Sequence, residues 1–119
     1  MKIHIYVLLL IVGLVSGCHK KVESAPAELQ KSFQHAPPQV KQQVKTASAN
    51  LQSGDVMQTL RSLAPVTERP DLTTQQRQAL AATLNQVNKK IAANPKLETP
   101  ETYEMRQKMF KAVYGTKRF

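Results

Sequence analysis

The chain predicts an all-α fold, a small bundle of four to five short helices behind an N-terminal leader. Three observations carry this. Apolar residues recur at helical spacing in three separate stretches. Ser/Thr/Asp residues that can cap helix starts, and Gly or Pro that can end them, punctuate the chain between those stretches. Glycine is rare, at 4 residues of 119, while Gln and Ala are abundant, which favours helix over strand and coil.

The leader comes first. Lys2 is followed by an apolar run, residues 5–15, broken only by Gly13. This is short of the roughly 20 apolar residues needed to cross a hydrocarbon core, but it has the form of a secretory signal peptide. It closes on Val15-Ser16-Gly17-Cys18, and Cys18 is the sole cysteine. This segment resembles the bacterial lipobox, in which an aliphatic residue and two small ones precede an invariant cysteine. The resemblance implies cleavage between Gly17 and Cys18, a diacylglycerol on the Cys18 sulfur and, in many bacteria, acylation (palmitate) of the new amino group. Two or three acyl chains would anchor stably where one holds only marginally. His19 stands where enterobacterial lipoproteins kept at the inner membrane have Asp, which points to the outer membrane in a source that has one. The expected division is a signal peptide at 1–17, a lipid anchor and tether with a possible short helix at 18–36, a helical domain at 37–115 and a basic tail at 116–119.

Within 18–36, Lys20 and Lys21 would lie beside anionic head groups. Pro26 fits the first turn of a helix, with Leu29 and Phe33 on one face at i,i+4 and an end before Pro37. Pro37-Pro38 opens the next helix, whose apolar stripe is Val40, Val44, Ala47 and Leu51. Gly54 ends it, Asp55 caps its successor, and Gln58 three residues on completes a capping-box pattern. The successor carries Val56, Leu60 and Leu63 and is expected to stop at Pro65. So short a connection makes the pair, 39–64, an antiparallel hairpin. The turn at residues 51–55, flanked by these helices, is similar to that of a tetratricopeptide repeat. Thr59 replaces the repeat's preferred Ala, and no second copy follows at a spacing near 34 residues. The similarity therefore implies one hairpin, with the later helices packed on it.

Thr73-Thr74-Gln75-Gln76 is another capping-box pattern. It opens a long helix, near 74–93, with Leu80, Leu84, Val87 and Ile91 on one face and Asn94-Pro95 as its stop. Thr99 caps the last helix, near 100–114, with Pro100 at its first position and Glu101 in its first turn. Tyr103, Met109, Phe110, Val113 and Tyr114 supply its apolar residues. Core packing is their expected role in a chain so short of large apolar residues, and a partner groove is the alternative.

Chemistry is sparse. His4 lies in the leader, His19 beside the anchor and His35 in a linker, so no set of metal ligands converges and none is expected to bind. There is no G-x-S-x-G motif for a serine nucleophile. Glu98, Glu101 and Glu104 cluster at a helix start, where capping and the helix dipole account for them. No cofactor and no catalysis are expected.

Charge is the remaining signal. The chain has 17 Lys and Arg against 8 Asp and Glu. Removing the leader takes only Lys2. Export excludes nucleic acid as the partner and leaves lipid head groups and anionic envelope polymers. Arg106, Lys108, Lys111, Lys117 and Arg118 concentrate in the C-terminal half, with Tyr114 and Phe119 among them. They are the candidate anion-binding residues, although the helix dipole also favours cations there. The leading expectation is a membrane-anchored, non-enzymatic interaction or scaffold module facing the periplasm or exterior. The alternative is a binder of an anionic polymer or head groups through the C-terminal half.

Overall fold

A computed structural model describes residues 24–115. Five α-helices pack around one core: α1 (Ser24–Ser32), α2 (Pro38–Ser53), α3 (Val56–Thr67), α4 (Thr74–Ala93) and α5 (Pro100–Tyr114), with a single 3₁₀ turn, Pro95–Leu97, before α5. No strand occurs among the described residues.

The helix boundaries follow from identifiable caps. Pro38 opens α2 behind an extended Pro37. Gly54 ends it in the left-handed region at φ 86°, ψ 11°. There the Asp55 N–H reaches the Asn50 carbonyl at 2.9 Å and the Gly54 N–H reaches that of Leu51 at 3.3 Å, a Schellman arrangement. The Asp55 carboxylate then accepts from the Gln58 N–H at 3.1 Å, capping α3. This is only half of the capping box expected there, because the backbone N–H of Asp55 is already bonded to Asn50. The box at Thr73 and Gln76 forms in full, as does one between Thr99 and Thr102.

The helix α3 does not stop at Pro65. It runs two residues further, to Thr67. Proline removes one hydrogen bond, but so near the end of the helix that is the main loss. Val66, fully buried, and Thr67, whose hydroxyl donates to the Ala64 carbonyl at 2.8 Å, hold the last turn in place.

Around the bundle the order is α1, α2, α3, α5, α4 and back to α1. The hairpin α2–α3 forms as expected and α5 lies on α3. The long helix α4, expected to pack on the hairpin, instead rests mainly on α1 and α5 and touches α3 only lightly. The element that intervenes is α1. Leu29 and Phe33 are among the largest fully buried side chains, in one cluster with Leu51, Leu60, Leu63, Leu80 and Met109. The packed unit thus begins N-terminal to residue 37. Small residues make room for α1: Ala47 and Ser48 of α2 are fully buried, and the Ser48 hydroxyl donates to the Pro26 carbonyl at 3.4 Å. At the other end of α1, the Gln76 side-chain amide donates to the Ser32 carbonyl at 3.2 Å. That carbonyl is one of the four left over at the end of any helix, so the α4 cap also closes α1.

Candidate functional site

The feature that stands out is α5, because it is only half absorbed by the core. Its inward face is Thr102 and Met109, both buried, with Met105 and Val113 half-buried against the same cluster. Tyr103 (55% exposed), Phe110 (40%) and Tyr114 (41%) remain at the surface. The expectation that these aromatics pack in the core with Met109 is corrected by helical phase. Tyr103 and Phe110 each follow a buried residue, Thr102 and Met109, and one step turns a side chain about 100° away. The three aromatics fall within about 40° of one another on the helix. Phe110 and Tyr114 stack with centroids 4.7 Å apart and planes tilted by 46°. The Arg106 guanidinium carbon lies 6.0 Å from the Tyr103 ring centre, at the outer limit of a cation–π contact.

Thr102 explains why a polar residue occupies the inward face. Its hydroxyl accepts from the Thr99 N–H at 2.7 Å and lies 2.9 Å from a Glu98 oxygen, so its polar atom is satisfied where it is buried. On the far side of α5, Glu101 makes a two-pronged ion pair with Arg61 of α3, both bonds at 2.9 Å. The hydrogen bond from Arg61 holds the Glu101 carboxyl below its ordinary range, and Glu101 in turn raises the guanidinium.

Of the candidate cations, Arg106, Lys108 and Lys111 are described, and Arg106 is set apart from the two lysines. Arg106 turns inward. It donates to the Asn88 side-chain oxygen on α4 at 2.9 Å and to Glu98, with its Nε buried and unpartnered. It is a strut between α5, α4 and the link before α5. Lys108 lies 3.7 Å from Glu104. Lys111 is exposed, with no carboxylate within ion-pair distance among the described residues. Over residues 95–115 four cations meet three carboxylates, so the described part of this segment carries little net charge. Lys117, Arg118, Gly17 and Cys18 lie outside the described residues. The acidic cluster does more than cap α5: Glu98 binds Arg106 of α5 itself, and Glu101 binds Arg61 of α3.

His35 is exposed, and no group of three His, Cys, Asp or Glu among the described residues could hold a metal ion. No described helix is long and apolar enough to cross a membrane. Comparison with protein families, with curated proteins and with solved structures gives no match.

Proposed function

We propose that the protein is a lipid-anchored component of a bacterial cell envelope, held by Cys18 at the cell or outer membrane. There it acts without catalysis as a small helical interaction module whose contact face is the aromatic side of α5. The observation that carries the interaction reading is the group Tyr103, Phe110 and Tyr114, exposed in one sector of a helix whose other faces are fixed by the core and by two arginine–glutamate pairs. Aromatics at a surface combine large contact area with little conformational freedom to lose, the character of interface anchors. The Val15-Ser16-Gly17-Cys18 segment supports the location. The mechanism is tethering. The six residue steps from Cys18 to the start of α1 reach at most about 20 Å when fully extended. Confinement that close to a membrane raises the effective concentration of the module against neighbours in the same plane.

The test has two arms. Palmitate labelling and membrane fractionation of the wild type and Cys18→Ser should give labelled, sedimenting protein only for the wild type. Photo-crosslinking residues at positions 103 and 114 should then capture an envelope protein that the same residue at exposed Gln52 on α2 does not. Labelling that fails removes the anchor. Equal capture from positions 52 and 103 removes the contact face.

A further inference from the structure

Residues 24–54 contain three lysines and a single acid, Glu28. The helices α1 and α2 run antiparallel, tied at one end by Ser48 and Pro26 and turned at the other through Phe33. This brings Lys31 of α1 to the same open groove as Lys41 and Lys45, which lie one turn apart on α2. The groove encloses about 530 Å³. None of the three ammonium groups has a carboxylate within 4 Å among the described residues. Glu28 lines a separate cavity beside Ser32 and Gln75, on the other flank of Lys31. The remaining walls come from Gln30, Gln34, Gln42 and Pro38. The floor is Phe33 and Val44, each only 1% exposed.

This arrangement selects a ligand class. Three uncompensated cations within one groove repel one another, and an anion between them relieves that repulsion. Side-chain amides add neutral donors and acceptors that match hydroxyl groups. Of the apolar residues in the lining only Pro38 is exposed, which leaves an amphipathic peptide helix no row of apolar anchors to dock on. A flat bilayer cannot follow the groove between the two helices. We infer that the α1–α2 groove binds an anionic saccharide, with Lys31, Lys41 and Lys45 holding its phosphate or carboxylate groups and the glutamine amides its hydroxyls. This site is across the bundle from α5 and needs neither Cys18 nor the aromatic face, so it stands or falls apart from the function proposed above.

Calorimetry on the full chain in a nonionic detergent tests it. The probes are galacturonate oligomers for carboxylate, a phosphorylated mannan for phosphate, neutral dextran, polyaspartate, and phosphatidylglycerol vesicles. One of the two anionic saccharides should bind saturably, the stronger naming the anion. Replacing Lys31, Lys41 and Lys45 together with Gln should weaken it at least about tenfold, as expected for the loss of three charge-assisted contacts. Replacing Lys89, Lys108 and Lys111 with Gln removes the same charge elsewhere and should cost less than about threefold, the part owed to the overall field. Gln42→Ala should weaken the saccharide but not polyaspartate. All six lysines are surface groups, and unchanged thermal unfolding would show that both triple variants fold. Equal losses in the two triples would reduce the effect to net charge. Polyaspartate binding as tightly as the saccharide, vesicles binding where saccharides do not, or no binding to any probe would each overturn the inference.

Discussion

Leu29→Ala and Phe33→Ala ask whether α1 is part of the domain or part of the tether, and the groove wall at Lys31 depends on the answer. Leu29 is 0% and Phe33 1% exposed. Truncating a buried leucine to alanine costs about 2–5 kcal/mol and a buried phenylalanine about 3–5 kcal/mol, through lost burial and the cavity left behind. A unit of roughly 90 residues holds only about 5–14 kcal/mol in total. Either substitution therefore removes a large share of it. A loss of about 3 kcal/mol should lower Tm by about 12–24 °C at the 4–8 °C per kcal/mol of a domain this size. Thermal and urea unfolding followed at 222 nm measures this, with exposed Glu28→Ala as the control, expected to stay within about 0.5 kcal/mol. Hydrogen exchange gives an independent reading: amides in α1 should be protected to the same free energy as those of α2. A loss below about 1 kcal/mol for both core substitutions, with α1 amides exchanging freely, would refute the reasoning, because a helix that is merely a tether has no core contact to lose.

Other outcomes follow from single residues. Gly54→Ala should cost about 1–2 kcal/mol in chemical denaturation, since a Cβ there meets only the Lys90 ammonium at 3.8 Å and the cost is the left-handed backbone at φ +86°. Thr102→Val keeps the shape but removes the partner of the part-buried Thr99 N–H and of one Glu98 oxygen, for about 1 kcal/mol. The Glu101 carboxyl is depressed by its hydrogen bond from Arg61, so the stabilisation it gives is present above the ordinary carboxylate range and lost as pH falls through the depressed value. Wild type and Glu101→Gln should therefore differ in Tm at neutral pH and converge in acid, and Arg61→Gln should return the Glu101 titration upward in carbon-detected NMR. Phe110→Ser with Tyr114→Ser should leave Tm within a few degrees, about the effect of a surface change, while abolishing crosslinking from position 103.

What was legible in the sequence was punctuation. Gly54-Asp55, Thr73 with Gln76, and Thr99-Pro100 each place a helix boundary, because a cap is a local hydrogen-bonding problem with a local solution. The stripes of α2 and α4 were legible for the same reason, since four regular apolar positions define a face without help from elsewhere. What failed to show was set by partners far along the chain. Leu29 and Phe33 are only two apolar residues, too few to say whether they meet a core, and the answer came from α2 and α4 closing over them. On α5 the large aromatics outweighed Thr102 as candidates for the inward face. Yet Thr102 is the residue that can bury its hydroxyl, because Thr99 and Glu98 satisfy it. At Pro65 the rule about the missing N–H was sound, and burial of Val66 overrode it.

Charge shows the same contrast with functional consequence. Read along the chain, positive charge gathers after residue 105, while Lys31, Lys41 and Lys45 are spread over two helices. Among the described residues folding changes this picture. Arg106 is drawn to Glu98 and Lys108 lies beside Glu104, so two of the cations after residue 105 are matched locally, while Arg61 of α3 takes Glu101. The sparse region has almost no acid to spend its lysines on, and the α1–α2 packing gathers them at one groove. In the ring order α1, α2, α3, α5, α4, the α1–α2 edge is opposite α5. The two surfaces therefore do not compete for space. The arginine–glutamate pairs matter to that arrangement because they fix the rotation of α5. Turned by one residue, about 100°, the helix would bury Tyr103 and Phe110 and expose Met109, and the proposed contact face would be lost while the groove remained.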